Sequence, residues 1–297
     1  MKSMLAHPQP NGNASQRRSR TTLVIAHPGH ELRVHGWLET AQPDVWVITD
    51  GSGRTNRSRI DSTTRVLEAT GAAAGPVYGE FSDADLYDAV LSFDHRYFTD
   101  LVDRLVVALI RDRVEFIAGD AEEGYNPAHD VCRLVINAAV KLAKTKSTNQ
   151  IANYDFTLVG SPGRCSEVLR DHSIWLNLDD AAFARKLSAA RNYPELQAEV
   201  QAAMHGFDNE RFRKEPALAQ RARSDFGVTD INHFRVECLR PVDLHIAPTL
   251  DRPFYEDYGE RQVKAGYYSH VLRYREHMLP LAAALDAHVE RAIDAGA

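Results

Sequence analysis

Two histidines set three residues apart, His27 and His30, stand where an apolar run ends and the chain turns. The run is Leu23-Val24-Ile25-Ala26; Pro28 and Gly29 make the turn, and Glu31 follows His30 directly. Imidazole nitrogen suits Zn²⁺, and a catalytic zinc commonly has three protein ligands and one open position. A His-x-x-His pair across a strand-to-helix turn is close enough to chelate one ion. The third ligand must come from elsewhere. His129 is the best candidate, because it opens a helix after a strand, behind a glycine- and acid-rich loop. Against this stands the ordinary role of histidine as a surface or satisfied core residue, and the chain has 13 of them.

The elements that must position these residues follow from the hydrophobic pattern. Short, continuous apolar runs predict buried strands at 23–26, 45–49, 114–118 and 156–159, with a weaker one at 76–78. Between them the spacing predicts helices over 31–40, 58–71 and 128–144, and a helical region over 82–111 broken near 92–94. Ser82 or Asp83 can cap that region, and Gly71 is a plausible stop for the helix before it. Strands alternating with helices predict a parallel α/β sheet, in which ligands bind outside the carboxyl ends of the strands. His27, Asp50 and the Asp120–His129 loop all fall at such ends. The second half is less regular. It predicts a helix over 179–204 interrupted at Tyr193-Pro194, and a charged, solvated helix over 209–225. A strand over 234–242, a proline- and aromatic-bearing loop over 247–261 and a final helix over 267–288 bent by Pro280 complete it. Trp37, Trp46 and Trp175 read as core.

The 297 residues are 44% hydrophobic and 26% charged, ordinary for a globular protein with a full core. A net charge of -6 argues against a general nucleic-acid binder. No apolar run reaches the length of a membrane span. Residues 1–20 are polar, lack the apolar stretch of a secretory signal and read as a flexible tail. Cys132, Cys165 and Cys238 are far apart and odd in number, so no disulfide framework is expected and the cytoplasm is the default compartment. There is no GxGxxG, no P-loop and no internal repeat.

The segment Ala26-His27-Pro28-Gly29-His30-Glu31 resembles the AHPDDE signature of the LmbE/PIG-L family of zinc-dependent N-deacetylases. The resemblance continues in order. Thr49-Asp50-Gly51 is similar to that family's turn after its second strand, and Arg65-x-x-Glu68 lies where the family often carries an Arg and a Glu. Asn126-Pro127-Ala128-His129 stands at the family's HPDH. The match spans about 21–143. It implies a Rossmann-like α/β core over 21–165 that holds a divalent metal, with a divergent α+β extension over 166–297 closing over the site. The departures are equally specific. The family's general base, the first Asp of its HPDDE, is Gly29 here, and its carboxylate ligand is His30. The oxyanion-binding His is Asn126, and the Asp of HPDH is Ala128.

The implied ligand set is therefore His27, His30 and His129. Three neutral imidazoles leave the ion's charge uncompensated, which makes it a stronger Lewis acid and lets bound water ionise near neutral pH. A base must come from another acid: Glu122 and Glu123 are favoured, with Glu31, Asp120 and Asp50 as alternatives. Asp50 could instead orient a ligand imidazole from behind. Asn126 can donate to an oxyanion without transferring a proton. Arg54, Arg57 and Arg59 could bind a phosphate or carboxylate, or be a solvated loop; Arg65 matches a substrate-contacting arginine of the family. The favoured function is hydrolysis of an N-acyl bond in a small, sugar-like molecule or specialised metabolite. The alternatives are a metal-binding protein without hydrolysis and a nucleotide-sugar-binding transferase. No nucleic-acid or membrane partner is expected, and association into a homo-oligomer is left open.

Overall fold

The computed structural model describes residues 20–53, 56–148, 150–197, 200, 231–242 and 252–295. The tail over 1–19, Arg54, the charged segment over 209–225 and the start of the expected loop at 247–251 lie outside the described residues.

A mixed α/β architecture surrounds a seven-stranded, mostly parallel sheet of order β3-β2-β1-β4-β5-β7-β6. β1 (Thr21–Ile25) lies between β2 (Asp44–Thr49) and β4 (Phe116–Asp120), parallel to both. β3 (Ala73–Phe81) continues one side and β5 (Ala152–Phe156) the other. The chain thus winds outward in both directions from β1 and β4. The strand order reverses between these two strands, and in open α/β sheets ligands bind outside the carboxyl ends at such a point. β7 (Val236–Pro241) and β6 (Ile174–Asn177) then add antiparallel strands beyond β5.

Alternation along the central strands sends side chains to two separate cores. Val24, Trp46, Ile48 and Ile117 pack with α4 (His95–Arg111), α5 (Pro127–Lys146) and α9 (Leu279–Asp294). Leu23, Ile25, Val45 and Val47 pack on the other face with Trp37 and Leu38 of α1 (His35–Ala41) and Val66 and Leu67 of α2 (Ile60–Thr70). Leu38, Leu109 and Val289 are 0% exposed. Each such side chain contributes about 1.5–3 kcal/mol by leaving water. α3 (Asp83–Leu91) begins with a capping box in which Ser82 and Asp85 satisfy each other's backbone, and Ser92 ends it before α4. The break expected near 92–94 is therefore present.

The second half differs from its sequence pattern in four places. β5 ends at Phe156, so residues 157–159 are a bend rather than strand. β6 was not expected, and Trp175 in it is half-buried beneath the Arg170 guanidinium, 5.4 Å from the ring centroid, rather than core. A helix, α8 (Phe254–Lys264), occupies part of the expected loop. It has Glu256 and Asp257 in its first turn and Arg261 and Lys264 in its last, which complements the helix dipole. Pro280 does not bend a helix. It sits in the first turn of α9, where its missing N–H costs nothing, after a π turn over Tyr274–Met278. Two further helices, α6 (Glu167–Arg170) and α7 (Asp180–Arg191), flank β6. No helix of the described residues is long and apolar enough to cross a membrane.

A buried cluster ties these later segments to the first. Glu237 of β7, 0% exposed, accepts hydrogen bonds from the backbone N–H groups of Gly36 and Trp37 at 2.9 Å each and from Lys186 Nζ of α7 at 2.8 Å. The start of α1, directly after a short 3₁₀ turn that carries His30, is thereby pinned to β7 and to α7.

Candidate functional site

His27 leaves the end of β1 and meets groups from the ends of β2 and β3. Its Nδ1 is 2.8 Å from Thr49 Oγ1 and 2.9 Å from Asp83 Oδ1. Thr49 Oγ1 lies 2.5 Å from the same Asp83 oxygen, and the Gly53 N–H donates to Asp83 Oδ2 at 2.6 Å. Burial alone would raise the Asp83 carboxyl. Its hydrogen bonds with His27, Thr49 and Gly53 outweigh burial and hold it well below the usual carboxylate range. An ionised Asp83 accepts the Nδ1 proton of His27 and leaves the Nε2 lone pair for a ligand.

His30 is held in the same way from the other side. Its Nδ1 is 2.9 Å from Asp120 Oδ2, which also accepts the Ala26 N–H at 2.8 Å. One buried carboxylate from the end of β4 thus clasps the end of β1 and a histidine beyond it, across the point where the strand order reverses. Burial pushes the Asp120 carboxyl up to about 7. Burial, followed by the charges of His27, Arg33 and Arg59, drives His30 well below its ordinary value. His129, in the first turn of α5 and 7% exposed, is driven down in the same way, first by burial and then by His30 and His27. Its Nδ1 is buried with no hydrogen-bond partner among the described residues.

The three rings touch. Their centroids are 5.3 Å apart for His27–His30, 5.4 Å for His27–His129 and 4.6 Å for His30–His129, all edge to face. Imidazoles whose nitrogens stand about 2.1 Å from one tetrahedral ion would have centroids about 5 Å apart. Among the described residues no group of three or more His, Cys, Asp or Glu side chains stands in an arrangement that could hold a metal ion. What exists is a convergence of three rings, two oriented by carboxylates and one with an orphaned buried nitrogen. Imidazole nitrogens are donors that a divalent metal such as zinc accepts, and His129 Nδ1 is a buried polar atom with no hydrogen bond.

The remaining expected residues divide. Glu31, 0% exposed, accepts from the Gly29 N–H at 2.7 Å and from Thr63 Oγ1 at 2.8 Å, so it braces the turn between the histidines rather than facing substrate. Gly29 has φ 105°, and a Cβ there would lie 2.6 Å from Leu196 Cδ1 and 3.7 Å from Tyr193 Cζ. The place where the resemblance puts a base is covered by the 193–196 segment. Asp50 folds back on its own turn, accepting from the Ser52 N–H at 2.9 Å; the carboxylate behind His27 is Asp83 instead. Glu123 accepts from the N–H groups of Leu158 at 2.7 Å and Val159 at 3.1 Å, anchoring the bend after β5. Glu122 is half-exposed in the same loop, and burial, opposed by Arg133, pushes its carboxyl up to about 7. Asn126 caps α5 through Oδ1, which accepts from the Ala128 N–H at 2.9 Å and from Tyr87 Oη at 3.0 Å. Its amide N–H₂ is the group left to donate.

Among the arginines, Arg65 is exposed and donates to Ser62 Oγ at 2.8 Å, away from the rings. Arg57 is exposed. Arg59 is the one that bears on the site. Its charge reaches His30, and its stem packs where Gly51, at φ 67°, lacks a side chain: a Cβ there would lie 2.8 Å from Pro28 Cδ and 3.1 Å from Arg59 Cδ. Asp83 was read from the sequence only as a helix cap, whereas Arg59 was among the three loop arginines expected to meet a ligand. An acid directly after a parallel strand was nonetheless a signal for Asp83.

No family model matches the sequence, and no curated protein matches it. Two solved structures have a related outline. The antimicrobial reagent A40926 pseudoaglycone deacetylase Dbv21 is 15% identical, with a TM-score of 0.43 over 78% of this chain and 100% of that one. The zinc-inhibited form of teicoplanin deacetylase Orf2 is 11% identical, with a TM-score of 0.38 over 74% of this chain and 97% of that one.

Proposed function

We propose that the chain is a metal-dependent hydrolase of N-acyl bonds in a small polar substrate, an N-acylated amino sugar or a related metabolite. The observation that carries this reading is the contact of the three imidazoles of His27, His30 and His129, the first two oriented by Asp83 and Asp120, beyond the carboxyl ends of β1 and β4. His27, His30 and His129 would hold the ion, which when bound would polarise the acyl carbonyl and make water more acidic. Glu122, the half-exposed carboxyl raised towards neutrality, would take the water's proton and return it to the leaving amine. Asn126 would donate its amide N–H to the developing oxyanion. Arg59 would grip an anionic or hydroxyl group next to the scissile bond.

The test is acetate release from a panel of N-acetyl sugars, with metal content measured by elemental analysis. Wild type is expected to carry one divalent ion and to release acetate; His129→Ala loses both, and Glu122→Gln keeps the ion and loses turnover. Absence of any transition metal would overturn the reading. A second reading has its own observation. The covered position at Gly29 supports a metal-binding protein without hydrolysis. It predicts bound metal with wild type and His129→Ala equally inactive on every substrate.

A further inference from the structure

A pair of thiols lies outside the chemistry proposed above. Cys238 sits in β7 opposite Trp175 of β6 and is 2% exposed. Cys165 is half-buried in the loop that leads from β5 to β6. Its Sγ is 3.3 Å from Ser173 Oγ, and Ser173 directly precedes β6, whose Trp175 is paired with Cys238, so the two thiols lie near enough for Cys165 to influence the Cys238 proton. Both are free cysteines. The third, Cys132, is 0% exposed in α5, where its Sγ approaches Val24 O at 3.7 Å on another part of the sheet. The sequence spacing hid this pair, because 165 and 238 are brought together only by the β6–β7 pairing.

We propose that Cys165 and Cys238 are a redox-sensitive modification site that closes to a disulfide when the protein meets a peroxide. Cys165 is the accessible partner and reacts first: its thiol and hydrogen peroxide give a sulfenic acid and water. The sulfur of Cys238 then attacks the sulfenic sulfur, forming the S–S bond and releasing the oxygen as a second water with the Cys238 proton. Two thiols are oxidised by two electrons and one peroxide is reduced to two waters. A dithiol reductant reopens the bond by exchange. Burial pushes the Cys238 thiol up to about 12, which keeps it from reacting on its own.

Closure has a structural target. The loop between β5 and β6 is stitched near its start to Arg33, which donates to Thr157 O at 2.9 Å and Gly160 O at 2.7 Å. Arg33 follows His30 by one turn of the 3₁₀ segment. A covalent link at Cys165 would fasten the loop's other end to β7 and so fix the loop at both ends.

The experiment is peroxide titration of the reduced full chain, read by thiol count and by peptide mapping without reductant. The expected result is a fall from three thiols to one, a mapped Cys165–Cys238 link within one chain, and recovery of three thiols on adding dithiothreitol. Cys165→Ser should keep both remaining thiols. Cys238→Ser should accumulate a sulfenic acid at Cys165 that dimedone traps. The proposal is overturned if wild type keeps three thiols at peroxide levels that oxidise a free cysteine peptide. It is equally overturned if Cys165 over-oxidises while Cys238 stays a thiol, or if the mapped bond joins two chains.

Discussion

Asp83 stands behind His27, and Asp120 stands behind His30. Such carboxylates fix the tautomer and direction of an imidazole, and losing one typically costs 10–100-fold in metal affinity. Asp83→Asn is therefore expected to weaken metal binding by about 10–100-fold, measured by competition titration, with an unchanged circular dichroism spectrum. Affinity equal to wild type would remove Asp83 from this role. Gly29 is the other informative residue. Its φ of 105° and the nearby Leu196 make a side chain costly there. Gly29→Asp should lose about 1–3 kcal/mol in denaturant unfolding and gain no acetate release. A large gain in turnover would mean that Leu196 yields and that the missing carboxylate is all the site lacks. At this scale motif and spacing singled out three histidines whose rings lie together. Asp83 was not legible, because its strand is irregular in register and its own position doubles as a helix start.

At the scale of elements, the position of α1 depends on partners far along the chain. Glu237 is buried with Lys186 and with the first N–H groups of α1. Removing one partner of a buried ion pair costs about 3–5 kcal/mol because the other charge is left unpaired. Glu237→Ala should destabilise by about that amount in urea, and it should also lower metal affinity, since α1 follows the turn that carries His30. A surface pair joins the same two helices: Arg185 of α7 donates to Glu39 of α1 at 2.6 and 2.8 Å. Those hydrogen bonds hold the Glu39 carboxyl below its ordinary value of 4.5. The folded form thus releases this proton more readily than the unfolded chain. The pair's contribution is present above about pH 4.5 and is lost as pH falls through the lower folded value. The stability gap between wild type and Glu39→Gln should accordingly close in acid; a gap independent of pH would show that the pair contributes through packing alone. The pattern of apolar runs revealed β1 to β4 and α2 to α5, and placed the strand of β5 about four residues too late. It did not reveal β6, whose residues are only partly buried, or α8, whose polar surface and flanking Pro253 resemble a loop.

For the whole molecule, any ion bound by the three histidines should report on global stability. A ligand that binds only the folded state adds about 2.7 kcal/mol when present at 100 times its Kd. Stripping with a chelator should lower the Tm of wild type and leave that of His129→Ala unmoved; equal shifts in both would place the metal elsewhere. That the central sheet is parallel was legible because the runs of β1, β2 and β4 are short, apolar and continuous and alternate with helices. How the later strands extend the sheet was not, because antiparallel pairing beyond β5 depends on contacts between residues far apart in sequence. The clasp of Asp120 on Ala26 and His30 has a consequence in time as well as space. During synthesis His27 and His30 leave the ribosome about a hundred residues ahead of His129, and domains fold as their segments emerge. Until β4 inserts beside β1, the early histidines lack the carboxylate that aims one of them. On the proposed metal reading, the nascent chain would be a poor metal scavenger, and capture would wait for the sheet to close, sparing the growing polypeptide premature or mistaken loading.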